Sequence, residues 1–127
     1  MGEVKRIHGG AKPLKSIVLA DDYLYTEQNK TIAAFSKQDG SLLFVSKKRL
    51  KGDIKSVAGQ GDLLYFICEN ELLAIDRYTG EQVWQADEGM TAAYHVMTSD
   101  NRVYFSNTLG EIRCYEWSEP YHSPAKP

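Results

Sequence analysis

Sliding the sequence along itself by 40 positions brings like residues together without a gap from Lys15 to Lys51. Ser16 falls on Ser56, Asp22 on Asp62, Leu24 on Leu64, Tyr25 on Tyr65, Ala34 on Ala74 and Gly40 on Gly80. Similar types also coincide: Ile17 with Val57, Ile32 with Leu72, Phe35 with Ile75 and Phe44 with Trp84. A third copy follows at an offset of 39, with Val103 and Tyr104 on Leu64 and Tyr65. One residue then enters around "SNTLGE", and Ile112, Cys114 and Tyr115 align with Leu72, Ala74 and Ile75 at 40. A repeat of this length means stacked supersecondary units rather than one irregular domain.

Each full copy reads as four short strands. In the second copy they fall at about Ile54–Ala58, Leu63–Cys68, Glu71–Asp76 and Gln82–Gln85. Turn-forming residues separate them: Gly59-Gln60-Gly61-Asp62, Glu69-Asn70 and Tyr78-Thr79-Gly80. The runs are short, β-branched and aromatic, which disfavours helices. Leu63–Cys68 is apolar throughout instead of alternating, so both of its faces must be buried. Four-stranded antiparallel sheets at a period near 40, packed face to face, are the blades of a β-propeller.

The stretch "LLYFICENELLAIDRYTGEQVW", Leu63 to Trp84, resembles a PQQ-like (quinoprotein-type) β-propeller repeat, with its "LxAxD" and "TGxxxW" elements. The first copy keeps the pattern with Asp39-Gly40 and Phe44; the third loses the glycine, and Pro120 stands there. The resemblance runs from about Leu14 to Pro120. It implies the propeller fold and not a particular activity. The quinone dehydrogenases it is similar to use a cofactor pocket, a calcium site and adjacent cysteines. This chain has no Cys-Cys pair, so no cofactor and no metal are expected.

The third copy stops one strand short, because "YHSPAKP" after Pro120 is rich in proline and has no apolar run. Gly2-Glu3 stands before Lys15 as Gly40 and Gly80 stand before the inner strands of the next copies. An outer strand is therefore expected over residues 3–8, with Glu3, Val4, Lys5, Arg6 and Ile7 completing a split blade. The expected layout is all-β: residues 3–8 as that strand, 14–48 as blade 1, 53–86 as blade 2, 92–118 as three strands of blade 3 and 119–127 as a flexible tail. Closed propellers have about 4–8 blades, so three leave two blade faces open. Two copies forming a six-bladed ring with two-fold symmetry would close it, the strand of one chain completing the last blade of the other. The rival expectation is that the three blades belong to a longer propeller.

The net charge of −2 supplies no bulk attraction to nucleic acid. No apolar run approaches the roughly 20 residues of a spanning helix, so no membrane partner is expected. The first 15 residues lack the apolar centre of a signal peptide, which makes a cytoplasmic location the expectation. Cys68 and Cys114 both lie in apolar runs and are expected to be buried, reduced thiols.

Residues that break the repeat are the candidates for function. Lys47, Lys48, Arg49 and Lys51 form a basic connection where the next copy has an acidic one, with Asp87 and Glu88. The basic loop can take an acidic protein, phosphate or nucleic acid, pair with the acidic loop, or simply be solvated. Tyr94 and His95 lie on an inner strand, where a channel site or ordinary packing both fit. Asp22, Asp39 and Asp62 stand at turns, where they can cap the backbone. No nucleophile, phosphate-loop or zinc pattern is present. The leading expectation is a non-enzymatic scaffold that binds a protein partner. The alternative is a small-ligand or carbohydrate binder using the channel or the clefts between blades, with Trp84, Trp117 and Tyr94 as its aromatics. A channel-mouth enzyme ranks third.

Overall fold

The computed structural model describes residues 15–20, 23–28, 30–46 and 50–126, with the backbone alone for residues 15–20 and Gln28. Among the described residues, eleven strands fall into three antiparallel sheets in the order of the chain. Blade 1 is β1 (Lys15–Ala20), β2 (Tyr23–Gln28), β3 (Thr31–Ser36) and β4 (Leu42–Val45). Blade 2 is β5 (Ile54–Gln60), β6 (Leu63–Cys68), β7 (Glu71–Asp76) and β8 (Gln82–Gln85). Blade 3 is β9 (Ala93–Ser99), β10 (Arg102–Asn107) and β11 (Ile112–Glu116). Among the described strands, each pairs with its sequence neighbours in a meander.

The repeat extends to the irregularities. The third strands shift register at Ala34/Phe35 in blade 1 and at Ala74/Ile75 in blade 2, 40 positions apart. Gly40 and Gly80 both take positive φ, 74° and 79°, and their amides bond the carbonyls of Ser36 and Asp76. Leu50 and Met90 follow the two outer-strand connections and are both buried, their amides held by the carbonyls of Lys30 and Asn70.

β6 is buried at every position, as its unbroken apolar run requires. Leu64, Phe66 and Cys68 point into one core with Tyr25, Ile32 and Ala34 of blade 1. Leu63, Tyr65 and Ile67 point the other way, into a core with Val96, Val103 and Phe105 of blade 3. Blade 2 is thus the filling of a three-layer stack, and alternation along β6 feeds both layers. Thr79-Gly80 shows why that turn takes glycine: a Cβ at Gly80 would lie 2.7 Å from ring carbons of Phe44 in blade 1.

Four expectations need correcting. Cys68 is buried, but Cys114 is exposed, because β11 alternates and the face it offers has no blade against it. The segment after Pro120, expected as a flexible tail, is docked on blade 2: the Tyr121 hydroxyl donates to Asp76 Oδ2 at 2.7 Å and the Ser123 amide to Asp62 Oδ2 at 2.9 Å. Asp62 consequently serves this long-range contact rather than capping its own turn. Finally, the two end faces are not equally open. On the far face of blade 1, Thr26, Ala33 and Phe35 are buried while Leu42 and Val45 are about half exposed. The expected strand over residues 3–8 lies outside the described residues.

Candidate functional site

The free face of blade 3 is built from residues whose counterparts in the other blades are core. Ile32 and Leu72 are 2% and 0% exposed, whereas Ile112 at the same repeat position is 76% exposed. Ala34 and Ala74 are fully buried, and Cys114 stands exposed. Cross-strand register puts His95, Ser106 and Ile112 in one row and Met97, Tyr104 and Cys114 in the next. Side chains of paired residues share a face, so these rows form one surface. Between them lies a groove of about 310 Å³ lined by His95, Met97, Tyr104, Phe105, Ser106 and Ile112. Arg102 and Glu116, opposite each other on β10 and β11, form an ion pair. The outward edge of β11 has no strand paired to it among the described residues.

The two closed joints are bridged at one equivalent place, by different hydrogen bonds. The Tyr25 hydroxyl in blade 1 donates to the main-chain carbonyl of Arg77 at 3.1 Å, 52 residues on. The Tyr65 hydroxyl in blade 2 accepts from Trp117 Nε1 at 2.6 Å, again 52 residues on. Both tyrosines are third in their strand, and both partners directly follow the third strand of the next blade. Burial pushes the Tyr25 phenol well up, and pushes Tyr65 up against the opposing effect of the Trp117 bond. Both contacts are hydrogen bonds of a buried phenol. Arg77 adds its guanidinium over the rings of Tyr23 and Tyr78, at 5.2 and 5.1 Å to their centres.

Two clefts open between blades 2 and 3. One, of about 350 Å³, is lined by Gln60, Asp62, Tyr65, Asn101, Trp117 and Tyr121 among others. The second, of about 250 Å³, holds Trp84, Tyr115 and Glu116, and shares Tyr65 and Trp117 with the first. Trp84 is committed to packing: it stacks on Phe105 at 6.2 Å and meets Tyr115 edge-on at 4.9 Å. Trp117 is held by its bond to Tyr65 and tilts over Tyr121 at 5.9 Å.

At the floor of the first cleft the docked tail meets two buried carboxylates. Asp76 Oδ1 accepts from the amides of Tyr78 and Thr79, and Oδ2 from Tyr121. Burial pushes the Asp76 carboxyl up, but the hydrogen bonds from Ser123, Tyr121, Tyr78 and Thr79 outweigh it and hold it below its ordinary value. Tyr121 is pushed up to about 12 by burial and by the neighbouring Asp76. Lys126 lies 3.6 Å from Asp62. The sequence gives little sign of this cluster, since its members come from positions 45 and 61 residues apart. The one hint is that Asp76 replaces Ser36 of the first copy.

The other sequence candidates scatter. Lys47, Lys48 and Arg49 lie outside the described residues, as do Glu3, Val4, Lys5, Arg6 and Ile7. Lys51 is exposed and pairs with Glu71 at 3.4 Å on the surface. Asp87 and Glu88 are exposed on the matching connection, which Arg113 ties to blade 3 through the carbonyls of Glu88 and Gly89. Tyr94 and His95 are exposed with ring centres 6.4 Å apart. Of the described candidates, His95 lines the free-face groove.

No family model and no curated protein matches the chain. Solved structures do. The computationally designed protein Ika8 matches with a TM-score of 0.72 and 14% identity, over 85% of this chain and 34% of the designed one. Ika4, also computationally designed, matches with a TM-score of 0.52 and 13% identity, over 91% of this chain and 99% of its own. BamB from Moraxella catarrhalis, a PQQ-like β-propeller, matches with a TM-score of 0.54 and 16% identity, over 85% of this chain and 45% of BamB. The chain therefore spans about a third of Ika8 and under half of BamB. At such identities the likeness is one of fold: three antiparallel sheets that resemble propeller blades.

Proposed function

We propose that the chain is a non-enzymatic interaction module, and that two copies close a six-bladed ring whose loops receive a protein partner. One observation carries this reading: at repeat positions 32, 72 and 112 the first two isoleucine and leucine side chains are core and the third is 76% exposed. A blade face patterned for burial, with a free strand edge beside it, calls for another blade. Ika4 adds support, because a designed chain of this extent is matched along 99% of its length. Residues 3–7 of the second copy would then pair with the free edge of β11.

The connections 47–51 and 87–91 of both copies would gather at one end of the ring, basic beside acidic, as the partner surface. Small-angle X-ray scattering tests the ring. The reading expects a forward scattering of two chains and the profile of a compact disc. A one-chain arc at micromolar concentration would overturn it.

A second reading, small-ligand binding between blades, is favoured by the clefts of about 350 and 250 Å³ on either side of Trp117. A thermal-shift screen with mono- and oligosaccharides separates the two, since a ligand that binds the folded chain raises its melting temperature.

A further inference from the structure

The third equivalent tyrosine, Tyr104, has no such partner among the described residues; its hydroxyl lies beside the Arg102 side chain. Tyr25 reaches Arg77 and Tyr65 reaches Trp117, each partner being the first residue after the third strand of the following blade. Tyr104 occupies the same place in β10 and faces the open groove of blade 3. From the resting ring reading, on which this step depends, the following blade is blade 1 of a second copy. Its first residue after the third strand is Lys37.

We infer that Tyr104 of one copy and Lys37 of another form the polar contact of the intermolecular joint, the phenol donating to the Lys37 carbonyl as Tyr25 does to Arg77. Lys37 is exposed and free to enter such a joint. It is also the right kind of residue. Arg77 at the first joint is basic too, and lies over Tyr23 of the preceding blade. At the new joint the position of Tyr23 belongs to Arg102, whose ion-pair mate Glu116 offers the Lys37 ammonium a carboxylate. Two copies related by a two-fold axis make this contact twice.

The test uses the full chain with Tyr104→p-benzoylphenylalanine, photo-activated in a mixture of ¹⁵N-labelled and unlabelled protein. The expected product joins residue 104 of one copy to the turn Ser36–Gly40 of the other, as shown by mixed-isotope peptides. A dimer by light scattering whose cross-links fall elsewhere overturns the pairing and leaves the ring standing. A monomer overturns both. Tyr104→Phe gives an independent measure. Losing a hydrogen bond at each of two joints is expected to raise the dimer Kd by roughly 25-fold, about 5-fold per joint. An unchanged Kd overturns the bond.

Discussion

The phenol of Tyr65 accepts a hydrogen bond of 2.6 Å from the indole nitrogen of Trp117, the first residue beyond the last described strand of the next blade. This contact pins blade 3 to blade 2 at the point where the two clefts meet. Trp117→Phe leaves a buried phenol without its donor and trims the packing on Tyr121. A loss of about 1–3 kcal/mol is expected. Urea unfolding of Trp117→Phe, Tyr65→Phe and the double variant measures it. The double variant should cost less than the sum, because the two residues share one bond.

Gly80 is required twice over, by its φ of 79° and by Phe44 at 2.7 Å from any Cβ. Gly80→Ala therefore strains the turn and forces the outer strands of blades 1 and 2 apart. The expected cost is about 2–4 kcal/mol. Gly61→Ala is the control: its φ is also positive, 56°, but a Cβ there meets nothing within 4 Å. It should lose only the conformational part, about 1 kcal/mol. Equal losses for the two variants would remove Phe44 from the explanation.

Asp76 makes the fold sensitive to acid. Its folded carboxyl is held below its ordinary value by the hydrogen bonds it accepts. The stability it adds is present above the unfolded value, about 3.9, and is lost as pH falls through the lower folded value. Denaturation at a series of pH values from neutral down to acid should show this decline. Asp76→Asn should start less stable and fall less steeply over the same window. A parallel curve for the variant would show that other carboxylates set the acid limb.

The two cysteines should behave as opposites. Cys68 is buried, its thiol pushed up by burial, and its Sγ lies 3.3 Å from the Gly52 carbonyl oxygen. A thiol reagent should reach it only on unfolding. Cys114 is exposed on the free face of blade 3 and should label in the folded chain. If that face is the joint, labelling of Cys114 will quicken on dilution as copies separate. A rate independent of protein concentration would argue that the face is never covered.

The repeat makes the blades legible in the sequence alone. β6, β7 and β8 begin and end where the turn residues Asp62, Glu69-Asn70 and Thr79-Gly80 place them. Local chemistry decides those boundaries, so local reading finds them. The exposure of Cys114 is not legible, because burial in a propeller is supplied by the neighbouring blade, and "IRCYE" carries no trace of whether that blade exists. The docking of Tyr121 and Ser123 was equally hidden. Prolines in "YHSPAKP" rule out a strand, but they do not tell a loose tail from one bonded to Asp76 and Asp62 across the molecule. The contact between Tyr25 and Arg77 occupies an intermediate position. The alignment shows the three equivalent tyrosines, yet only the packed blades show what each one touches.

If the exposed face of blade 3 is a joint between copies, the molar mass in solution shows it. Size-exclusion chromatography with light scattering should give the unaltered chain twice its 14.3 kDa, and Ile112→Asp the mass of one chain. The substitution puts a charge at the most exposed apolar position of that face, and leaves the closed cores untouched. A mass of 14.3 kDa for the unaltered chain across micromolar concentrations would contradict the account.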